Sequence, residues 1–196
     1  MSTRMMLTNV RLSYAQSLYN AKPFAPGDTP SWSCAFHLDK VKHAKLIAEF
    51  EAAEFAEFEA KVPDKQKKNA RALFDALGHK DRRMKDGDIH DPEYAAGCMI
   101  VSARATEGKQ PKPTVLNRHR ERVGEGDEGA PYSGCYVNAQ VDVWAQFGTY
   151  TRTNCTLLGV QFVKDGDAFG GGRPADVDAF ADLGDQDDED ELGGLA

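Results

Sequence analysis

Tyr136-Val137-Asn138-Ala139-Gln140-Val141-Asp142-Val143-Trp144 is the stretch on which the fold turns. Val137, Ala139, Val141 and Val143 alternate with Asn138, Gln140, Asp142 and Trp144, and a period of two puts the first set on one face of a half-buried strand. The polar face is not bare, because Tyr136 and Trp144 both lie on it. Downstream, Leu157 to Val163 reads as a last strand closed by the turn Lys164-Asp165-Gly166-Asp167. Upstream, the apolar run Cys98 to Arg104 reads as a buried strand, and Thr114 to Leu116 as a shorter one. A basic connector follows the buried strand, with Lys109, Lys112, Arg118, Arg120 and Arg122 among Pro111, Pro113 and the glycines of 124–129.

The first half of the chain completes the pattern. Val10, Leu12 and Tyr14 alternate with Asn9, Arg11 and Ser13. Trp32, Cys34, Phe36 and Leu38 alternate with Ser33, Ala35, His37 and Asp39. Between these two strands, Pro23, Pro26, Gly27, Asp28 and Pro30 predict a loop over 18–30. The Ala, Glu and Lys-rich run from Asp39, its cap, to Lys61 predicts a helix, and a second helical stretch runs from Pro63 to Leu77 with Gly78 ending it, before a loop that carries Lys80, Arg82, Arg83 and Lys85. Five or six strands with helices inserted after the second predict a mainly β (α+β) fold, a small closed barrel rather than a βαβ sheet.

Charge divides the chain in two. Of 31 Asp and Glu, nine fall in the last 21 residues, which hold no Lys or Arg; the body keeps 22 acidic against 24 basic groups, about +2. The sequence therefore predicts a folded domain over 1–169 and a flexible acidic tail over 170–196. A tail of that length reaches roughly 30 Å end to end as a flexible coil, twice the ~15 Å radius of gyration of the body. No apolar run approaches the ~18 residues of a membrane span, and Met1 to Leu7 lacks the apolar stretch of a signal peptide, so the expected location is the cytoplasm. Cys34, Cys98, Cys135 and Cys155 form no Cys-x-x-Cys pair and have no histidine at finger spacing, so no metal or other cofactor is expected.

A mildly basic body with an acidic terminus points to nucleic acid as the ligand. Phosphates attract Lys and Arg, while unpaired bases offer a π-face to Tyr, Trp or Phe, and only a single strand uses both. The candidate phosphate contacts are Arg11, Arg82, Arg83, Lys85, Arg118, Arg120, Arg122 and Arg152; the candidate stacking rings are Tyr136, Trp144 and Tyr150, with Tyr132 beside them. Tyr14 and Trp32 fall on the apolar side of their strands, which favours core packing. A rival reading places Mg²⁺ on Asp86, Asp88, His90, Asp91 and Glu93 as a nuclease or repair site. That run, broken by Gly87 and Pro92, also reads as a polar loop.

Several strings converge on one family. Asn9-Val10-Arg11-Leu12-Ser13-Tyr14, Lys85-Asp86-Gly87-Asp88, Tyr132-Ser133-Gly134-Cys135-Tyr136-Val137 and Gly159-Val160-Gln161-Phe162-Val163-Lys164-Asp165-Gly166 together resemble the single-stranded DNA-binding proteins of tailed phages, over about Val10 to Gly172. The resemblance implies an OB-fold core and sequence-tolerant binding of single-stranded DNA without catalysis. It also implies a role in phage replication or recombination in the host cytoplasm, and an acidic tail that competes with DNA and recruits replication or recombination proteins. Similar tails often end in an aromatic or hydrophobic residue, whereas this one ends Leu192-Gly193-Gly194-Leu195-Ala196, leaving Phe180, Leu183 or Leu195 as the apolar anchor.

Overall fold

The computed structural model describes residues 2–169; the acidic tail predicted over 170–196 lies outside the described residues. Along the chain run β1 (Thr3–Ser13), α1 (Gln16–Tyr19), β2 (Ser31–Asp39), α2 (Ala44–Glu59), a 3-10 turn (Asp64–Asn69), α3 (Ala70–Asp75) and β3 (Met84–Asp86). There follow α4 (Gly87–His90), β4 (Cys98–Thr106), β5 (Thr114–Leu116), β6 (Tyr136–Gln146) and β7 (Arg152–Lys164).

The alternation in β6 is realised residue by residue: Val137, Ala139, Val141, Val143 and Ala145 are buried, and the residues between them are half-buried on the outside. β6 is flanked by β1 and β7, both antiparallel, and β1 continues to β2 and β2 to β4. β4 then meets β7 in parallel at Arg104↔Thr156. This last contact closes the ring β1-β2-β4-β7-β6, the five-stranded Greek-key barrel of the OB type. A bulge at Thr8 and Asn9, opposite Asn138, lets β1 coil from β6 onto β2, with the Asn9 N–H donating to Asn138 Oδ1 at 2.9 Å.

Closure leaves two strand edges diverging from the seam, and each is covered. β3 pairs with β4 at 99–101, and β5 pairs with β7 at 159–161. Unpaired edge groups are a liability that such short strands remove. β5 has the predicted bounds; β3 stands where the sequence predicted a loop.

The helical insertion packs on the barrel through Phe50 and Phe58, both fully buried, and builds a smaller core of Phe58, Val62, Ala70, Phe74 and Ala145. Asp39 caps a turn rather than α2: its Oδ1 accepts the N–H groups of Val41 and Lys42, which holds its pKa below the ordinary value. The polar run Asp64–Asn69 has no apolar side to bury and winds as a 3-10 turn before α3. One buried carboxylate locks the insertion down. Glu54, with no exposure, accepts from Thr153 Oγ1 at 2.6 Å, from the Arg83 backbone N–H at 3.0 Å and from Arg82 at 3.2 Å. Among the described residues no helix is long and apolar enough to cross a membrane.

Candidate nucleic-acid interface

Strand register sets the outer face of the barrel in rows. Arg11 pairs with His37, His37 with Ile100 and Ile100 with Lys85, giving one row across β1, β2, β4 and β3. Two residues along stand Ser13, Ala35 and Ser102, and two further stand Ser33 and Arg104, the latter opposite Thr156 of β7. The loop after β1 and the turn between β6 and β7 border this face, as they do in OB barrels that take oligonucleotides.

At the Arg104 end, where β4, β6 and β7 converge, lies a cavity of about 200 Å³ whose lining includes Arg83, Arg104, Lys109, Trp144, Arg152 and Asn154. None of these cations forms an ion pair with a carboxylate among the described residues. Arg83 donates instead to the Thr153 carbonyl at 3.2 Å and to Asn154 Oδ1 at 3.4 Å. Its pKa is pushed down by burial and by the neighbouring Arg104 and Arg152 guanidinium groups. Clustered positive charge of this kind is costly without an anion. Two buried donors, Arg152 Nε and Asn154 Nδ2, have no acceptor among the described residues, and buried polar groups almost always have one. The Trp144 indole is fixed by its Nε1–H donating to Thr156 Oγ1 at 3.0 Å. The site thus offers unmet donors, unneutralised cations and a held aromatic ring together, which suits phosphate oxygens beside a flat base.

Of the predicted residues, Arg83, Trp144 and Arg152 meet at this cavity, and Tyr150, 68% exposed on the adjoining turn, has the Arg152 guanidinium 5.6 Å from its ring. Lys85 lies on the same sheet face, with its pKa lowered by burial and then by Arg83. Arg82 turns the other way, pairing with Glu54 at 3.2 Å and lying 4.3 Å from the Phe74 ring centre, so it serves the insertion rather than the face. Arg11 sits at the far end of the face, donating to the Gly134 and Asp167 carbonyls. Tyr136 is eight residues from Trp144 on β6, roughly 26 Å along a strand, where its ring has Lys164 Nζ 4.7 Å away.

Arg118, Arg120 and Arg122 stand apart from the cavity. Arg118 donates to the Val163 carbonyl at 2.9 Å, Arg120 occupies a left-handed turn position at φ 66°, and Arg122 bridges to Leu116 beside β5. Arg122 lines a second cavity of about 340 Å³ with Tyr19, Lys112 and Glu125. Tyr132 is a fastener: its hydroxyl lies 3.0 Å from both Asp165 Oδ1 and the Gly166 carbonyl and accepts the Gly166 N–H. Tyr14, predicted to face the core, is 66% exposed, because β1 ends at Ser13 and Tyr14 takes φ 58°.

The sequence reading missed Arg104, the one cation at an outward position within β4, although the inward parity of Val101, Ala103 and Ala105 marks it. It also missed Phe24, 97% exposed in the proline-rich loop. The Mg²⁺ reading fares differently. Asp86 and Asp88 both grip Lys40 Nζ at 2.6 Å, and Asp88 also accepts the Gly97 N–H at 2.6 Å. Among the described residues no three His, Cys, Asp or Glu are grouped to hold a metal. The four cysteines are free, and burial pushes the thiols of Cys34 and Cys155 up.

A closed five-stranded barrel with a cationic, ring-bearing face beside its β1–β2 and β6–β7 loops defines an OB-fold protein of the nucleic-acid-binding kind. The chain belongs to the family described as Enterobacter phage Enc34, ssDNA-binding protein, whose model matches residues 3–192. It is similar to the solved single-stranded DNA-binding protein of bacteriophage Enc34 in complex with ssDNA, with 26% identity and a TM-score of 0.68 over 85% of this chain and 89% of that one. Among curated proteins it is 38% identical to protein p50 of Acyrthosiphon pisum secondary endosymbiont phage 1, across 56% of this chain and 56% of that protein's length. It shares its fold with gp2.5, a single-stranded DNA-binding protein of bacteriophage T7, at 15% identity and a TM-score of 0.52 over 94% of this chain and 98% of that one.

Proposed function

We propose that this chain binds single-stranded DNA, with little regard to sequence, along the outer face of β2 and β4, and protects and organises unpaired DNA during phage replication or recombination in the host cytoplasm. The observation that carries this reading is the cluster of the Arg83, Arg104 and Arg152 guanidinium groups around the Trp144 ring, none of them ion-paired with a carboxylate among the described residues. Phosphates meet those arginines, Lys109 and Lys85, while bases stack on Trp144 and Tyr150. Affinity comes from counterion release and π-stacking, neither of which reads base identity. The protein performs no chemistry on the strand. Its tail, a polyanion, competes with DNA for the same cations and recruits partner proteins.

Titration of labelled single-stranded and duplex oligonucleotides at two salt concentrations, with and without Mg²⁺, tests the reading. Tight, salt-sensitive binding of the single strand with no Mg²⁺-dependent cleavage is expected; preference for duplex, or strand loss in Mg²⁺, refutes it. Deleting 176–196 is expected to tighten binding most at low salt, and unchanged low-salt affinity would remove tail competition.

A further inference from the structure

The face is open at its Arg104 end and covered at its Arg11 end. Arg104 is exposed, whereas His37 and Ser13, only four and two residues away on the outer side, are 4% and 7% exposed. Over His37 and Arg11 the cover comes from the chain's own segment 165–169, which leaves β7 and crosses back toward β1, with Tyr94 beside it. Tyr132 buckles it at Asp165 and Gly166. Gly166 and Gly134 pack so closely that neither leaves room for a Cβ, and Asp167 receives a hydrogen bond from Arg11. The Phe169 N–H donates to the Ser133 carbonyl at 3.3 Å, which delivers the ring to the end of the row.

The Phe169 ring lies 4.1 Å from the Arg11 guanidinium carbon, 5.0 Å from the His37 ring centre and 6.3 Å, edge-on, from Tyr94. We infer that Arg11, His37 and Tyr94 form a nucleobase-stacking subsite of the DNA face, which Phe169 fills in the free protein and vacates to a base of the bound strand. A guanidinium, an imidazole and a tyrosine edge are groups that stack on any π-face, and a base also offers acceptors that Arg11 can meet, which a phenyl ring does not. Lys85 stands on the same row for a phosphate, and His37 is four residues from Ser33 along β2, roughly 13 Å from the row of Arg104. A strand seated in the Arg104 cavity and following β2 therefore runs into Phe169.

The inference rests on the single-stranded DNA reading, and one experiment separates the two. The full chain, its Phe169→Ala variant and the double variant Phe169→Ala with Tyr94→Ala are titrated with a labelled single-stranded oligonucleotide at low and at moderate salt. Phe169→Ala should bind about fivefold tighter or more, the worth of one stacked base. That gain should persist at moderate salt with an unchanged salt slope, because stacking releases no counterions; relief of tail repulsion would fade with salt. Adding Tyr94→Ala should remove most of the gain. Both replaced side chains are partly exposed, so a thermal melt confirms that the variants fold. Binding that is unchanged or weaker in Phe169→Ala, or a gain that vanishes with salt, overturns the subsite while leaving the DNA reading intact. Absence of binding by all three proteins overturns both.

Discussion

Arg104→Ala is the perturbation from which most can be read. Arg104 projects from the outer side of β4, is exposed, and adds positive charge beside Arg83. Removing it relieves repulsion between like charges, so the folded protein should be no less stable. Its effect on DNA is different. On a single strand each phosphate contact contributes about −0.7 to the slope of log K against log salt. Five contacts, from Arg83, Lys85, Arg104, Lys109 and Arg152, give a slope near −3.5, and the variant one near −2.8. Between 50 and 200 mM salt, affinity should then fall about 130-fold for the parent and about 50-fold for the variant. Fluorescence anisotropy of a labelled oligonucleotide across four or five salt concentrations measures both slopes, and a thermal melt checks the fold. An unchanged slope with a normal melting temperature would mean that the strand does not pass Arg104, and the cavity would no longer be the binding site.

Three further outcomes follow from particular contacts. Trp144→Ala should weaken single-strand binding by about 1 to 3 kcal/mol with the salt slope unaltered, since it removes a stacked ring and no charge; an equal affinity removes Trp144 from the site. Glu54→Ala takes the 2.6 Å acceptor from the buried Thr153 hydroxyl, leaves the Arg83 amide only Thr153 Oγ1 at 3.2 Å, and leaves Arg82 only Glu51 at 3.9 Å. It should cost about 3 kcal/mol, roughly 6 to 12 °C in melting temperature, and a loss under 1 kcal/mol in denaturant unfolding would contradict that role. Burial, with Arg11 acting in the same direction against Asp91 and the Tyr94 backbone, lowers the pKa of His37. Between the lowered folded pKa and the ordinary ~6.5 the unfolded chain then holds a proton that the folded chain lacks, so stability falls on acidification through that window, by at most about 1.4 kcal/mol per pH unit, and levels off below it. Comparing the pH dependence of unfolding in the parent and His37→Gln isolates this contribution; identical profiles would refute it.

What could be read from the sequence was whatever depends on the nearest neighbours in the chain. The period of two in Val137 to Val143 and the apolar run from Cys98 set β6 and β4, and Thr114–Leu116 kept its bounds. The candidate site needed more. It arises where β4 meets β7 at Arg104↔Thr156, a pairing of residues 52 apart that no local pattern announces. Arg82 and Arg83 looked equivalent as loop residues; chain parity sends one to Glu54 and Phe74, the other to the cavity. Tyr136 and Trp144 shared a predicted face and do share it, but eight residues of strand keep them from one binding point. The run Arg118, Arg120 and Arg122 had the densest charge, yet β5 pairing carries it to the opposite end of β7 from Arg152. Tyr14 broke the alternation because a left-handed residue ended the strand one position early.

The most direct test of the account uses Trp144 as its own reporter. In a Trp32→Phe variant the indole of Trp144 is the sole tryptophan. Its emission should be quenched in proportion to bound single-stranded oligonucleotide, reversed by added salt and insensitive to duplex. If anisotropy of the labelled strand shows binding while the Trp144 emission stays constant, single-stranded DNA does not lie across this face.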